Sequence, residues 1–295
     1  MINFTKAEGL GNDFILIEGK ELQPPLHKGM TTDLALLSQR LCHRCTGIGA
    51  DGVVIIHNAT DADCAIQVFN ADGSVALQCG NALRCVALYI CHQASIDRTM
   101  GVASDRGSNS YTIKYSNRYH RAQLNRLGEH LANVQIELGE PDISPESVLS
   151  VGAVVVAGNK CQLTLDEKTF YFTPVSMGNP HIVIEHDDLA NLPIEEWGPL
   201  LEGAACFPDG VNVEFVQFSS PSSVRVRVWE RGVGETQACG SGACAVLVAG
   251  VLQGKLHRQA KIEMPGGTLA IDWDPENGLI MQGEAKLIFT GKISL

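Results

Sequence analysis

The sequence predicts an α/β (α+β) protein of two pseudo-symmetric domains, each an antiparallel sheet wrapped around a central helix. Two observations predict this fold class. Short motifs recur in the same order in the two halves of the chain, and each half contains one strongly apolar, helix-patterned stretch among strand-like segments. At 295 residues, the chain has the length expected of about two domains.

Four pairs of motifs carry this internal repeat. The members of each pair are about 160 residues apart, and the pairs follow one order along the chain. One shared Gly/Asn/Asp turn arises easily by chance, whereas four in the same order indicate two homologous halves, too long for a solenoid repeat. The pairs are GLGNDF at 9–14 with MGNPH at 177–181, ADGV at 50–53 with PDGV at 208–211, NADG at 70–73 with ERGVGE at 230–235, and QCGNA at 78–82 with ACGSG at 238–242.

In the N-terminal half the pattern predicts a hairpin, a helix, two strands and a longer helix. Residues 2–5 and 14–18 are strand-like on either side of the first glycine-rich turn, and 33–41 places its leucines on one helical face. Apolar residues spaced i, i+3, i+4 and i+7 then predict a helix that begins near Asn81. The two strands between these helices are predicted at 53–57 and 65–70.

The C-terminal half is predicted to hold several strands around one buried helix. Residues 224–228 read VRVRV, the alternation of a half-exposed strand, and 242–252 is apolar nearly all round, as in a buried helix. A polar stretch between His120 and Val134 interrupts the pattern and predicts the boundary between the halves. Further strands are predicted at 135–138, 162–165, 213–217, 269–273 and 286–290. We expect one domain at 1–132 plus 284–295 and the other at 133–283.

Composition and charge indicate a globular protein and argue against nucleic-acid-binding and membrane proteins. The apolar content of 45% and the charged content of 19% are those of a globular chain. The net charge of −11 and the lack of a dense Lys/Arg cluster argue against nucleic-acid binding. The sequence shows no secretory signal and no apolar run of the roughly 20 residues that span a bilayer. We expect a cytoplasmic protein without a nucleic-acid or membrane partner.

Ten cysteines leave a second class of function open. In a cytoplasmic chain, reduced thiols are expected rather than a disulfide framework. Residues 42–45 read CHRC, the spacing of a zinc or redox site, but no second CxxC completes a set of four ligands. We predict no metal site and keep a thiol-redox or metal-binding protein as an alternative. Only Cys79 and Cys239 have the glycine-rich context of a helix start.

These two cysteines predict acid–base chemistry. A thiol at a helix N-terminus meets unpaired backbone N–H groups and the positive end of the helix dipole, which favours the thiolate. Two such thiols suit the removal of a proton from one face of a carbon and the return of a proton to the other. No lysine stands in a motif that marks pyridoxal phosphate, so no cofactor is expected. The candidate N–H donors to an α-carboxylate are Gly80, Asn81, Gly240 and Ser241.

Taken together, the motifs resemble those of the diaminopimelate epimerase family along the whole chain. The resemblance implies a cofactor-independent epimerase that interconverts LL- and meso-diaminopimelate in lysine and cell-wall precursor synthesis, with Cys79 and Cys239 as the proton carriers. It implies a diamino dicarboxylic acid as substrate. A second copy of the chain, in a homodimer, is the one macromolecular partner to consider. The motifs are GLGNDF at 9–14, FNADGS at 69–74, QCGN at 78–81, MGNPH at 177–181, ERGVGET at 230–236 and ACGSGA at 238–243.

The resemblance also implies roles for other motif residues. Arg231 would bind the distal carboxylate with a charge-assisted fork, Glu230 would bind the distal ammonium group, and Asn12 would help line the site. His181 and Glu230 are implied to tune the two thiols, so we count them with the cysteines as catalytic. The asparagines have an alternative role, because Asn commonly bonds its own turn. Those implied to help Arg231 at the distal carboxylate are Asn70, Asn179 and Asn212.

Two positions depart from the family pattern. The family usually has Met-His before its first Gly-Leu-Gly-Asn, where this chain has Ala7-Glu8, and Gly-Asn-Gly after the first catalytic cysteine, where it has Gly80-Asn81-Ala82. The methyl group of Ala82 either crowds the carboxylate site or is accommodated by helix packing. A related amino-acid racemase, such as one acting on histidine, is therefore an alternative. A cysteine-free isomerase of the phenazine-biosynthesis kind is disfavoured because both cysteines are present.

Overall fold

The computed structural model describes residues 1–22, 33–76, 78–99, 109–150, 154–157, 159–274 and 276–294. The chain forms two compact units, Met1–Ile136 with Gln282–Leu295 and Glu137–Met281. Each unit contains a β-sheet, one short helix and one longer helix, in the same order along the chain.

The first unit opens with a tight hairpin and a capped helix. Both residues of the hairpin turn have positive φ, 59° at Leu10 and 81° at Gly11, as a two-residue type I′ turn requires. The first helix begins after Asp33, whose carboxylate accepts the N–H groups of Ala35 and Leu36. The helices are α1 (Leu34–Cys42) and α2 (Gly80–Thr99), and the strands are β1 (Ile2–Gly9), β2 (Asn12–Glu18), β3 (Gly52–His57), β4 (Cys64–Asn70), β5 (Val75–Ala76), β6 (Ser110–Tyr115), β7 (Arg118–Arg126), β8 (Leu131–Gly139) and the later part of β18 (Gly278–Ile293).

Among the described residues of the first unit, two strand pairs are parallel. Strand β2 runs parallel to β3, and β4 runs parallel to β6. Parallel neighbours cannot be joined by a tight turn, so each pair is connected through a helix, α1 in the first case and α2 in the second. The sheet is therefore mixed, and the expectation of an antiparallel sheet was wrong at these pairs.

The second unit repeats this arrangement. Strand β12 runs parallel to β13 through a helical connection, and β14 runs parallel to β16 through another. The helices are α3 (Ile194–Glu202) and α4 (Gly240–Leu252), and the strands are β9 (Val154–Ala157), β10 (Lys160–Leu165), β11 (Lys168–Ser176), β12 (Pro180–Glu185), β13 (Asn212–Ser220), β14 (Ser223–Glu230), β15 (Gly234–Thr236), β16 (Gln259–Met264) and β17 (Gly267–Asp274).

The longer helix of each unit is its buried centre. Every residue of α4 from Gly240 to Gly250 is buried, which explains why its sequence is apolar on all faces. Helix α2 buries Leu83, Val86 and Leu88 together with the whole side chain of Arg84, whose Nε donates to the carbonyl oxygen of Glu284 at 3.3 Å. The predicted α/β fold class, with a sheet around a central helix in each half, is confirmed.

Two further predictions can be compared with the structure. The polar stretch between His120 and Val134, where the sequence predicts the boundary between the halves, is occupied mostly by β7 and β8, which pair with each other. Its polarity reflects strands with one exposed face. In the part of the chain that the structure describes, no helix is both long and apolar enough to cross a membrane.

Candidate active site

Both predicted cysteines stand immediately before the first residue of a central helix. The carbonyl oxygen of Cys79 accepts the N–H of Leu83 at 3.2 Å, and that of Cys239 accepts the N–H of Ala243 at 2.9 Å. Each cysteine is thus in the N-cap position, where the first N–H groups of the helix have no intrahelical partner. Gly80 and Gly240 are the first residues of α2 and α4.

The sulfur of Cys239 lies in a buried, polar environment. Its Sγ accepts the N–H of Gly242 at 3.3 Å and lies 3.5 Å from Oγ of Ser241. Burial raises the pKa of the Cys239 thiol well above its usual range, and the negative charges of Glu230 and Glu214 act in the same direction. The bonds from Ser241 and Gly242 oppose this rise without cancelling it. Burial and these two charges therefore favour the protonated thiol of Cys239.

A chain of polar contacts leads away from Cys239 through three predicted residues to an unpredicted one. Oγ of Ser241 lies 3.4 Å from Nδ2 of Asn179, whose Oδ1 lies 3.1 Å from Nε2 of His181. The other ring nitrogen of His181, Nδ1, lies 2.7 Å from Oε1 of Glu214. The side chains of His181 and Glu214 are both fully buried. The structure thus brings four predicted site residues of the second unit together around one buried acid.

Sequence reasoning did not identify Glu214. The signal was present, because Glu214 is the single charged residue in the strand segment NVEFV at 212–216. A carboxylate buried in such a segment needs a partner, and the parallel neighbour β12 supplies His181. The second oxygen of Glu214, Oε2, has no hydrogen-bond partner among the described residues.

The loop after β14 places the other charged candidates beside β13. Oδ1 of Asn212 accepts the backbone N–H of Arg231 at 3.0 Å, and its Nδ2 donates to the carbonyl oxygen of Pro180 at 2.8 Å. The guanidinium of Arg231 is exposed and donates from Nη1 to the carbonyl oxygen of Asp209 at 2.9 Å. Oε1 of Glu230 accepts the hydroxyl of Thr236. Asn212 therefore fixes the start of the loop that follows Glu230 and carries Arg231.

In the first unit, Asn12 connects the hairpin turn to the start of α2. Its Oδ1 accepts Nδ2 of Asn81 at 3.0 Å, and its Nδ2 donates to Oδ2 of Asp51 at 2.8 Å. Cys79 is half-buried, and Asn81 is buried. Asn12 and Asn81 are thus brought together, although the sequence did not identify Asp51 as their neighbour.

A network of charges holds Asp51 and the β1–β2 hairpin in place. Arg44 bonds Asp13 at 3.0 Å and Asp51 at 2.6 Å, and the buried Nζ of Lys6 lies 2.6 Å from Asp13. Burial opposes ionisation of Asp13, but the bonds from Arg44 and Lys6 outweigh it and lower the pKa of this carboxyl group. This network supports the position of Asn12, which it contacts through Asp51.

The side chains of Asn70 and Glu8 each make a hydrogen bond within their own turn. Nδ2 of Asn70 donates to Oγ of Ser74 at 2.9 Å, so this side chain bonds its own β4–β5 turn. The carboxylate of Glu8 accepts the N–H of Gly11 at 3.0 Å, within the turn where Leu10 takes a positive φ. The departure from the family pattern at Glu8 therefore adds a bond to this turn.

The cysteines of the CHRC segment do not converge on one site. Helix α1 ends at Cys42, which is buried, whereas Cys45 is exposed. Among the described residues, the metal-ligating groups within reach of one another are His92, Glu129 and His130, with ligand atoms within 4.8 Å. That group contains no cysteine, so it gives no support to a thiolate metal site.

Comparison with known proteins decides the family. The family profile described as "Diaminopimelate epimerase" matches residues 4–125 and 173–288. A diaminopimelate epimerase of Desulforudis audaxviator is 40% identical over 293 residues, covering 99% of this chain and 99% of that relative. The chain belongs to the diaminopimelate epimerase family. Another family member, from Carboxydothermus hydrogenoformans, is 37% identical and is matched over its full length. The predictions of the family and of an isomerase are confirmed.

Solved structures give the same fold at low identity. A probable proline racemase from Agrobacterium radiobacter K84 matches with a TM-score of 0.70 and 14% identity, covering 100% of this chain and 93% of that one. A predicted epimerase from Pseudomonas aeruginosa matches with a TM-score of 0.67 and 12% identity, covering both chains completely. At this identity the likeness shows a shared fold alone.

Proposed function

We infer that this protein converts LL-diaminopimelate to meso-diaminopimelate, a step of lysine and cell-wall precursor synthesis, by acid–base chemistry at two cysteines. One observation carries this inference: in a chain of the diaminopimelate epimerase family, Cys79 and Cys239 occupy the same N-cap position on equivalent buried helices.

In the proposed reaction, one cysteine removes the α-proton and the other delivers a proton to the opposite face. The raised pKa of Cys239, caused by burial and by Glu230 and Glu214, supports Cys239 as the protonated donor in the free enzyme. The base is then Cys79, whose helix start favours a thiolate. The two roles exchange after each turnover. Positioned acids and bases contribute about 10²–10⁴-fold to rate.

The carbanion needs stabilisation, because the α-proton of an amino acid is very weakly acidic. We propose that the α-carboxylate receives the developing charge while backbone N–H groups at a helix start hold it. Helix starts bind carboxylates because their first N–H groups lack intrahelical partners. This chemistry needs no cofactor. The proposed donors are Gly80, Asn81, Gly240 and Ser241.

The distal amino-acid group is assigned to the polar residues around the β14 loop. Arg231 is exposed, and Asn212 fixes its backbone, which supports a role in binding the distal carboxylate. Glu230 would bind the distal ammonium group. The contacts of Asn70 and Asn12 are within the first unit, so their proposed part in substrate binding is to shape its polar surface. Asn179 and His181 are proposed to act on Cys239.

The test is incubation of the purified protein with LL-diaminopimelate in deuterated water. We expect the meso isomer to form, with deuterium at the inverted α-carbon only. A panel of amino acids with one amino-acid end, histidine and proline included, is run alongside. Racemisation of one of these with diaminopimelate unchanged would replace the proposed substrate with a smaller one, and loss of activity with chelator would favour the metal alternative.

The cellular location and the oligomeric state of the protein are two further proposals, each with a simple test. We propose a cytoplasmic enzyme, because the family's role is in intermediary biosynthesis, and fractionation of cells expressing the full chain checks this. We also propose a homodimer, and light scattering of the purified protein would report a mass near twice 31.7 kDa. A mass equal to that of a single chain would contradict the dimer.

A further inference from the structure

The contacts between Glu214 and Cys239 form one continuous hydrogen-bond chain, and its direction can be worked out. The closest contact joins Oε1 of Glu214 to Nδ1 of His181 at 2.7 Å, and one proton lies between these atoms. Nε2 of His181 faces Oδ1 of Asn179, a carbonyl oxygen that can only accept, so Nε2 carries a proton and donates it.

The rest of the chain follows from this first step. Because Oδ1 of Asn179 accepts from His181, its Nδ2 is turned toward Ser241 and donates to Oγ at 3.4 Å. The hydroxyl of Ser241 then has its own proton free for Sγ of Cys239 at 3.5 Å. From His181 onward, each of these three bonds therefore donates toward the sulfur, whereas the Glu214 carboxylate accepts from Nδ1 of His181. The last two contacts are long, as catalytic hydrogen bonds often are before substrate binds.

The equivalent chain in the first unit runs the other way. Asn81 occupies the position of Ser241, and its Nδ2 donates to Oδ1 of Asn12. Nδ2 of Asn12 donates in turn to Oδ2 of Asp51. A carboxylate only accepts hydrogen bonds, so each bond of this chain donates toward Asp51 and away from the helix start. The insertion of His181 between the asparagine and the acid reverses the direction in the second unit.

We propose that Glu214 is a positioning residue for Cys239, which fixes His181 and Asn179 so that the hydroxyl of Ser241 donates to the sulfur. This inference rests on the proposed function, in which Cys239 exchanges a proton with the substrate. The thiolate that forms when Cys239 gives up its proton is buried and faces the negative charges of Glu230 from β14 and Glu214 from β13. In such a site a hydroxyl donor is among the few groups that favour the anion.

The inference predicts an unusual order among variants of Glu214. In Glu214→Gln the amide is the same length and can donate to Nδ1, which keeps the proton on Nε2 and the direction of the chain. In Glu214→Asp the charge is kept, but the carboxylate is one methylene too short for the 2.7 Å contact. We expect Glu214→Gln to keep kcat within about 3-fold and Glu214→Asp to lose about 10- to 100-fold in kcat, with little change in KM.

A Ser241→Ala background shows whether the effect passes through the hydroxyl. If it does, the loss caused by Glu214→Asp should shrink to within about 3-fold once Ser241 is alanine, since the two changes break one chain. Losses that multiply would overturn the proposal. So would the opposite order, with Glu214→Asp more active than Glu214→Gln, because that order would make charge rather than reach the essential property.

A substrate-free measurement separates failure of this inference from failure of the proposed function. Protein labelled with ¹⁵N-histidine, with His181→Gln to assign the resonance, gives the protonation of each ring nitrogen by NMR. We expect a proton on Nε2 in both the wild type and Glu214→Gln. An unprotonated Nε2 in the wild type would overturn the chain even if Glu214→Asp does not fold. A protonated Nε2 in a protein that leaves diaminopimelate unchanged would overturn only the function.

Discussion

The two units carry the same strand ladder with different chemistry inside it. In the parallel pair β2–β3, Phe14 stands opposite Gly52, and in β12–β13, His181 stands opposite Asn212. Two residues further along, β3 holds Val54 where β13 holds Glu214. Phe14 and Val54 are buried apolar residues, whereas His181 and Glu214 are a buried polar pair.

The difference extends to the helix starts and explains Ala82. A Cβ at Gly242 would lie 2.6 Å from Oε1 of Glu214, which is too close, and 3.2 Å from Sγ of Cys239, which is tight. At the equivalent position Ala82 is fully buried in a unit that has Val54 in place of the acid. Glycine at this helix position is therefore required by a neighbouring carboxylate rather than by the helix. The methyl group of Ala82, the departure from the family pattern, is thus buried in the packing of the first unit.

The largest expected effect comes from replacing the cysteine that both units have at the start of the central helix. Cys79→Ala and Cys239→Ala should each lower kcat by at least about 10²–10⁴-fold, because one face of the substrate then lacks its acid or base. Exchange of the α-hydrogen with deuterated water, followed by NMR, measures this. Cys85→Ala and Cys244→Ala are matched controls on the same helices and should act only through packing. Near-normal turnover by either Cys79→Ala or Cys239→Ala would exclude a two-cysteine mechanism.

The next effect concerns a charge present in one unit only. Glu230 and Arg231 stand where the first unit has Asn70 and Ala71. Arg231→Met should raise the barrier on diaminopimelate by about 2–5 kcal/mol, because a charge-assisted contact to the distal carboxylate is lost. The ratio kcat/KM measures the loss, and circular dichroism checks the fold.

Ala71→Ser is the control at the equivalent loop position and should leave kcat/KM within about 3-fold, since surface changes of this size are small in energy. An unchanged kcat/KM in Arg231→Met would place the distal group elsewhere. It would also favour a substrate with a single amino-acid end.

What the sequence could predict depended on local signals. The starts of both central helices were predicted from a cysteine and glycine that precede an apolar helical pattern, and these signals act within a few residues. The burial of α4 was predicted for the same reason, because its side chains are apolar on every face. The hairpin at Leu10 and Gly11 likewise followed from a glycine between two strand-like segments.

What the sequence could not predict depended on strand register. The match between ADGV at 50–53 and PDGV at 208–211 aligns Gly52 with Gly210, but the ladders align Gly52 with Asn212. Only that register places Glu214 beside His181. The parallel pairs were missed for a similar reason, since strand direction is set by the crossover helix and not by the strand's own residues. The proposed roles of the site residues stay predictions.

A third prediction concerns variants that give the second unit the residues that the first unit has at the equivalent positions. Gly242→Ala should displace the carboxylate of Glu214 from His181 and lower the free energy of unfolding by about 1–3 kcal/mol. Glu214→Val should also destabilise, because it leaves His181 without its partner. Denaturant unfolding of the two single variants and the double variant measures both costs.

The double variant should be more stable than the sum of the single costs predicts, by at least about 0.5 kcal/mol, since the new methyl no longer meets a carboxylate. Ala82→Gly is the control in the first unit and should cost about 0.5–1 kcal/mol, the usual cost of glycine in a helix. Strictly additive costs for Gly242→Ala and Glu214→Val would contradict the reason given for Gly242.

The smallest effect is a difference in thiol reactivity between the two units. Cys45 is exposed and would react first, so the comparison uses a Cys45→Ser background. Cys79 is half-buried, whereas Cys239 is buried and its pKa is raised by burial and then by Glu230 and Glu214. Iodoacetamide reacts with the thiolate. At pH 7.5 we therefore expect Cys79 to be alkylated at least about 10-fold faster than Cys239, as measured by peptide mass spectrometry.

Because the folded-state pKa of Cys239 lies above its unfolded value, its labelling should increase only as the pH rises above about 9. Cys85, wholly buried and with its pKa also raised by burial, should stay unlabelled until the protein unfolds. Faster labelling of Cys239 than of Cys79 at pH 7.5 would reverse the assignment of resting acid and base.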